Sequence, residues 1–159
     1  PNMPTADTAL VYPGGCLLQG TKLSEVQGTT RPFEIVGAPW IDGHRLAQGL
    51  RATGLLGFVA RPVTFRPTFH KHAGQICGGV QIHATDIASF RPVATYVSLV
   101  ALARRQNIER FGFRTEPYEY VDTIPAFDLL TGSDEARRAI EAGEEARTIA
   151  EFVSAADPT

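Results

Sequence analysis

Cysteine is scarce in this chain: Cys16 and Cys77 are the only two among 159 residues. A domain of this size builds its core without a disulfide framework. Two buried free thiols are the expected state, and one long-range bridge is the alternative. Neither cysteine belongs to a CxxC pair, which argues against a redox motif or a zinc ribbon. Long apolar runs are lacking too. None approaches the length that crosses a bilayer, so no membrane insertion is expected. No excess of positive charge exists, with 15 Lys and Arg against 17 Asp and Glu and the basic residues spread along the chain. A nucleic-acid partner needs a concentrated basic face and is not expected. Pro1-Asn-Met-Pro-Thr5 has neither the basic nor the apolar region of a signal peptide, and a start at Pro1 points to a fragment of a longer protein. No internal repeat, Gly-x-Ser-x-Gly elbow or phosphate-binding glycine loop occurs.

What is present reads as a soluble globular domain with one well-buried core. Ala9-Leu-Val-Tyr12, stopped by Pro13-Gly-Gly15, predicts a short buried strand running into a loop. Phe33-Glu-Ile-Val36 predicts another. Asp42 suits the cap of a helix through about Thr53, with Leu46, Ala47 and Leu50 on one face and Gly54 as the stop. Phe58 to Phe69 reads as extended, and Pro62 and Pro67 mark it as an edge or bulged strand. Cys77 to Thr85 is a clearer strand: Val80, Ile82 and Ala84 point one way, Gln81, His83 and Thr85 the other. Pro92 opens a helix to about Gln106 that is apolar on more than one face. Ser133 caps a helix ending at Gly143, and Glu144 to about Ala155 forms a last one, with Ile149, Phe152 and Val153 buried. The sum is an α+β (mixed α/β) domain, a small mixed sheet packed with about four helices.

The most crowded polar stretch runs from Tyr12 to Glu34 and on to Trp40. Its part from Tyr12 to Glu34 holds four glycines, the hydroxyls of Thr21, Ser24, Thr29 and Thr30, and Arg31, with no sustained periodicity. Ordering so long a polar loop costs conformational entropy that a plain connector avoids. Glycines admit close backbone approach, hydroxyls hydrogen-bond adaptably, and Arg31 offers a planar fork to carboxylate or phosphate. A binding loop and a surface Ω-loop both fit this pattern. The polar strand face of Gln81, His83 and Thr85, followed by Asp86, is a second candidate for a ligand or for plain solvent. His70-Lys-His72 places two imidazoles on one face if extended. With Cys77 or His83 they match no strong metal pattern, so no metal is expected. Glu25, Glu34, Glu116, Glu119 and Asp122 are available as carboxylates, but nothing in the sequence pairs two of them for glycoside hydrolysis. Tyr118 and Tyr120 suit either stacking on a sugar ring or ordinary packing on a sheet.

In order along the chain, these elements resemble the C-terminal half of the bacterial exo-β-N-acetylmuramidase family. The resemblance is carried by Val11-Tyr-Pro-Gly14, Cys16-Leu-Leu18, Gly28-Thr-Thr-Arg-Pro-Phe-Glu34, Gly37-Ala-Pro-Trp-Ile-Asp42, Phe65-Arg-Pro-Thr-Phe69, Cys77-Gly-Gly-Val-Gln-Ile-His-Ala-Thr-Asp86 and Phe127-Asp-Leu-Leu-Thr-Gly-Ser133. It implies a two-domain glycosidase that removes terminal N-acetylmuramic acid from peptidoglycan fragments. In that scheme residues 1–159 are a single C-terminal domain forming one wall of the cleft. Residues 1–8 are the remnant of the interdomain segment, and the catalytic glutamate belongs to an N-terminal Rossmann-like domain. The resemblance implies no cofactor, a peptidoglycan-derived saccharide and the N-terminal domain as partners, and an extracytoplasmic or cell-envelope setting. Arg31 and Lys71 then suit the lactyl carboxylate of muramic acid. Thr21, Ser24, Thr29, Thr30 and His83 suit its hydroxyl and acetamido groups, and Gln19 and Glu34 complete the expected binding set.

The chain also departs from the family pattern. Gln19, Lys22, Val26 and Gln27 stand where the family has Glu, Asn, Gly and Arg. Two charges are thereby lost from the loop, and Val26 occupies a glycine position whose left-handed conformations it cannot adopt without strain. A non-catalytic carbohydrate-binding or interaction domain is therefore the alternative. A metal-dependent hydrolase built on His70, His72, Cys77 and His83 is a third.

Overall fold

The computed structural model describes residues 3–27 and 29–156. Pro1 and Asn2 of the expected interdomain remnant, and Gly28 of the loop motif, lie outside these. The fold is α+β, as the sequence predicts. Three strands, β1 (Ile35–Ala38), β2 (Phe58–Phe65) and β3 (Cys77–Ala84), pair in the order β1-β3-β2. Both pairings are antiparallel, so the sheet is not the mixed one expected. Six α-helices are described where about four were expected: α1 (Ala6–Gly15), α2 (Gly43–Ala52), α3 (Pro92–Gln106), α4 (Ala126–Thr131), α5 (Glu135–Ala142) and α6 (Ala146–Ala156).

The alternation along β3 fixes its register. Val80 and Ile82 are buried toward the helices, while Gln81 and His83 face the other way, opposite Arg61 and Val59 of β2. Helices α1 and α2 cover the inner face of the sheet, and α3 lies behind them, contacting α1, α2 and α6. This central place explains why α3 is apolar on more than one face: Tyr96, Val97, Leu99 and Val100 are fully buried. Asp42 caps α2 as expected, its Oδ1 accepting from the N–H groups of His44 and Arg45.

Residues 9–12 are helical, not a strand. Thr5 caps α1 by accepting from the Thr8 N–H, and the helix runs through Pro13 to Gly15 before tightening into a 3₁₀ turn over Cys16–Gly20. The Pro-Gly-Gly that resembles a break is a packing device. A Cβ on Gly14 would collide with the Pro92 carbonyl, so only glycine lets α1 approach the first turn of α3. The last helix buries Ile149 and part of Val153, but Phe152 is exposed, contrary to expectation. Both thiols are free rather than bridged. Among the described residues no helix is long and apolar enough to cross a membrane.

Candidate functional site

Three segments far apart in the chain converge on one cleft of about 810 Å³. They are the stretch from Gln19 to Gln27, the turn His70-Lys71-His72 between β2 and β3, and Phe113 to Glu116 after α3. Backbone pairing aligns the first with the third: Lys22 N–H donates to the Gly112 carbonyl at 2.9 Å and Arg114 N–H to that of Gly20 at 2.8 Å. On its other side the first segment meets the sheet, with Ser24 and Gly37 exchanging backbone bonds of 2.8 and 3.1 Å.

Lys71 ties the second segment to the first. Its Nζ donates to the carbonyls of Leu18 (2.9 Å) and Leu23 (3.0 Å) and to Glu25 Oε2 (2.8 Å). An ammonium has three donors, so all are engaged. Burial pushes the Lys71 pKa down, and the neighbouring Glu25 carboxylate pulls it back up. His72 Nε2 lies 2.6 Å from the Lys22 carbonyl, which can only accept, so this nitrogen carries the proton. The His72 ring meets Trp40 edge-on at 5.3 Å, and the Arg110 guanidinium lies over the same indole. His70 and His72 both adopt left-handed backbone, with φ of 60° and 59°, so the turn is not the extended pair that would align two imidazoles. Among the described residues, no three His, Cys, Asp or Glu side chains gather as a metal site requires.

The cleft carries three cations, Lys22, Lys71 and Arg114, against two carboxylates, Glu25 and Glu116. Glu25 pairs with Lys71, and Glu116 with Arg114 at 3.4 Å. Lys22 has no carboxylate partner among the described residues, and its stem runs along Gly112. The N–H of Glu116 itself, aided by Arg114, holds the Glu116 carboxyl below the usual carboxylate range. Such a group is ionised at neutral pH and is a poor proton donor. The described lining has the charge and the room for an anionic polar ligand, and both of its carboxylates are held in ion pairs.

The family model for the C-terminal part of the exo-beta-N-acetylmuramidase NamZ matches residues 10–156. This chain belongs to that family. It is 38% identical over 149 residues to the peptidoglycan beta-N-acetylmuramidase NamZ of Bacillus subtilis (strain 168), covering 94% of the chain and 34% of that protein. Two crystal structures of DUF1343 family proteins from Bacteroides fragilis NCTC 9343 share the fold. One matches with a TM-score of 0.64 at 21% identity over 91% of this chain and 41% of its own. The other matches with a TM-score of 0.58 at 23% identity over 98% and 38%. The chain thus spans about a third of the length of its curated relative.

Of the expected binding residues, Gln19, Thr21 and Lys71 line the cleft. The Thr21 hydroxyl is held within the loop, donating to the Leu18 carbonyl and accepting from the Leu23 N–H. Gln19 Oε1 accepts from the Tyr118 hydroxyl at 2.7 Å. The other six lie outside the cleft lining. Ser24 is buried in its pairing with Gly37. Thr29, Thr30 and Arg31 belong to an excursion closed by the Phe33 N–H on the Glu25 carbonyl. Arg31 lies 3.5 Å from the buried Glu34, which also accepts from the Thr8 hydroxyl. His83 stands on the outer sheet face, where its Nε2 accepts from Arg61 Nε and the neighbouring Gln81 from Arg61 NH2. Sequence reasoning did not assign Lys22, Glu25, Gln27, Phe113, Arg114, Thr115 or Glu116 to a binding set. Their convergence depends on pairing between distant loops, which leaves no local period. Val26 does adopt left-handed backbone, at φ 45°, the conformation that strains a valine.

Proposed function

We propose that this chain is the saccharide-binding C-terminal part of an exo-acting β-N-acetylmuramidase. In this reading the cleft between residues 19–27, 70–72 and 113–116 forms one wall of the site at which terminal N-acetylmuramic acid is released. The observation that carries the reading, beside family membership, is the surplus cation in a polar cleft of sugar size. Muramic acid differs from N-acetylglucosamine by a lactyl carboxylate, and Lys22, flanked by Arg114, is the group free to meet it. Lys71 and Arg31, expected in that role, are engaged with Glu25 and Glu34. The cleft carboxylates are paired with cations, so the proton donor for glycoside cleavage comes from an N-terminal domain. A peptidoglycan ligand sets the protein at the cell envelope.

Calorimetry or NMR titration with N-acetylmuramic acid and N-acetylglucosamine tests this. Lys22→Ala is expected to weaken muramic acid binding roughly ten- to a hundredfold while changing N-acetylglucosamine binding less than about twofold, as loss of one charge-assisted contact implies. Equal losses for both sugars would remove Lys22 from the carboxylate role. Release of N-acetylmuramic acid from a chromogenic muramide by this chain alone would defeat the division of labour. Binding that persists in a full-length protein without such release would favour the non-catalytic reading, to which the uncharged Gln19 and Gln27 point.

A further inference from the structure

Tyr118 to Val121 form a minimal hairpin beside the cleft. The two residues exchange backbone hydrogen bonds of 2.9 Å each, leaving Glu119 and Tyr120 as the whole turn. Both have positive φ, 48° and 68°, the signature of a type I′ turn, which ordinarily takes Asn-Gly because glutamate and tyrosine are strained there. The Tyr120 side chain is fully exposed, so among the described residues none packs on its ring. A large aromatic held at a glycine position without packing lowers stability and gives no folding benefit in return.

The hairpin is nevertheless fixed to the cleft. The Tyr118 hydroxyl donates to Gln19 Oε1 at 2.7 Å, and Gln19 and Glu116 both line the cavity. Tyr120 is two residues from Tyr118, so its Cα lies within about 7 Å of the Cα of that anchored residue. We propose that Tyr120 is a stacking platform at the mouth of the cleft, contacting the apolar face of a sugar ring with its exposed ring. This deepens the proposed function and rests on that reading. The strain has a rationale in it: the turn holds the ring up at the rim, and a ligand supplies the packing that the fold does not.

The test titrates this chain and its variants with the N-acetylglucosamine–N-acetylmuramic acid disaccharide by NMR, alongside thermal unfolding. Tyr120→Gly is expected to raise Tm by about 2 to 4 °C by relieving the turn and to weaken binding about five- to tenfold. Tyr120→Phe is expected to keep the affinity within about twofold, since stacking does not need the hydroxyl. Unchanged binding in Tyr120→Gly overturns the proposal while leaving the saccharide reading intact. Failure of the unmodified chain to bind the disaccharide overturns both. A loss in Tyr120→Phe as large as that in Tyr120→Gly also overturns it, because the ring would then not be the contact.

Discussion

Lys71 presents one ammonium to three acceptors that belong to a different loop, about fifty residues earlier in the chain. Replacing it by methionine keeps much of the apolar stem but leaves two carbonyls and the Glu25 carboxylate without their donor. Chemical denaturation of Lys71→Met should show a loss of about 1 to 3 kcal/mol. A change below about 0.5 kcal/mol would mean that water replaces the ammonium freely. Tyr96 gives a second residue-scale expectation, this time in pH. Its hydroxyl is fully buried and donates to the Phe33 carbonyl at 2.6 Å. Burial first, and then the Glu34 charge, pushes its pKa well above the ordinary tyrosine range. In the unfolded chain the phenol ionises near pH 10, whereas the folded state holds the proton longer. The stability from this group is therefore complete below about pH 10 and is lost as pH climbs beyond it. Tyr96→Phe should cost about 0.5 to 1.5 kcal/mol at neutral pH and should lessen the fall in stability above about pH 10. Parallel pH–stability curves for the two proteins would show that Tyr96 is not the titrating group.

At the scale of elements, the short helices are held by side chains more than by their own propensity. Helix α4 has six residues and no side-chain N-cap. Isolated helices so short are unstable in water, so its order has to come from neighbours. The 3₁₀ turn over Cys16–Gly20 packs against it, and Arg137 of α5 clamps it, meeting the buried Asp128 of α4 through Nε at 2.8 and 3.0 Å and through NH2 at 2.8 Å. This forked pair raises the Arg137 pKa, chiefly through the hydrogen bonds to Asp128. Arg137→Lys cannot reproduce the fork and should cost about 1.5 to 3 kcal/mol by thermal or denaturant unfolding. An effect near zero would assign the docking of α4 to Phe127 alone. The same elements show where the sequence is legible. Helices α2 and α3 and strand β3 each carry a period and a cap or a breaker that agree, and they form where predicted. Helix α1 does not read as one, because Pro13-Gly-Gly15 signals a break locally, while Gly14 is selected by the approach of α3. Helix α4 gives no periodic signal in six residues.

Over the whole molecule, the core is assembled from the inner face of the sheet, the helices that cover it and the buried α3 behind them. The cleft is built on the opposite principle, from loops cross-tied by backbone pairs and one ammonium. This explains why the core is more legible than the site. Hydrophobic alternation names Val80, Ile82, Leu46 and Leu50 directly, but only the folded chain brings Lys22 beside Arg114 and Lys71. Gln19 and Thr21 are within reach of sequence reasoning because they share the polar loop. Thr29, Thr30 and Arg31 leave the cleft on an excursion of that loop, and His83 belongs to another surface.

The exchange between Ser24 and Gly37 has a consequence for how copies of the chain meet. Gly37 lies in β1, an outer strand of the sheet, and Ser24 occupies the backbone groups that would otherwise invite a foreign strand. The opposite outer strand, β2, carries Pro62, which offers no N–H. The loop that shapes the cleft therefore also guards the sheet, so loosening it would bare an edge for self-association as well as deform the cleft.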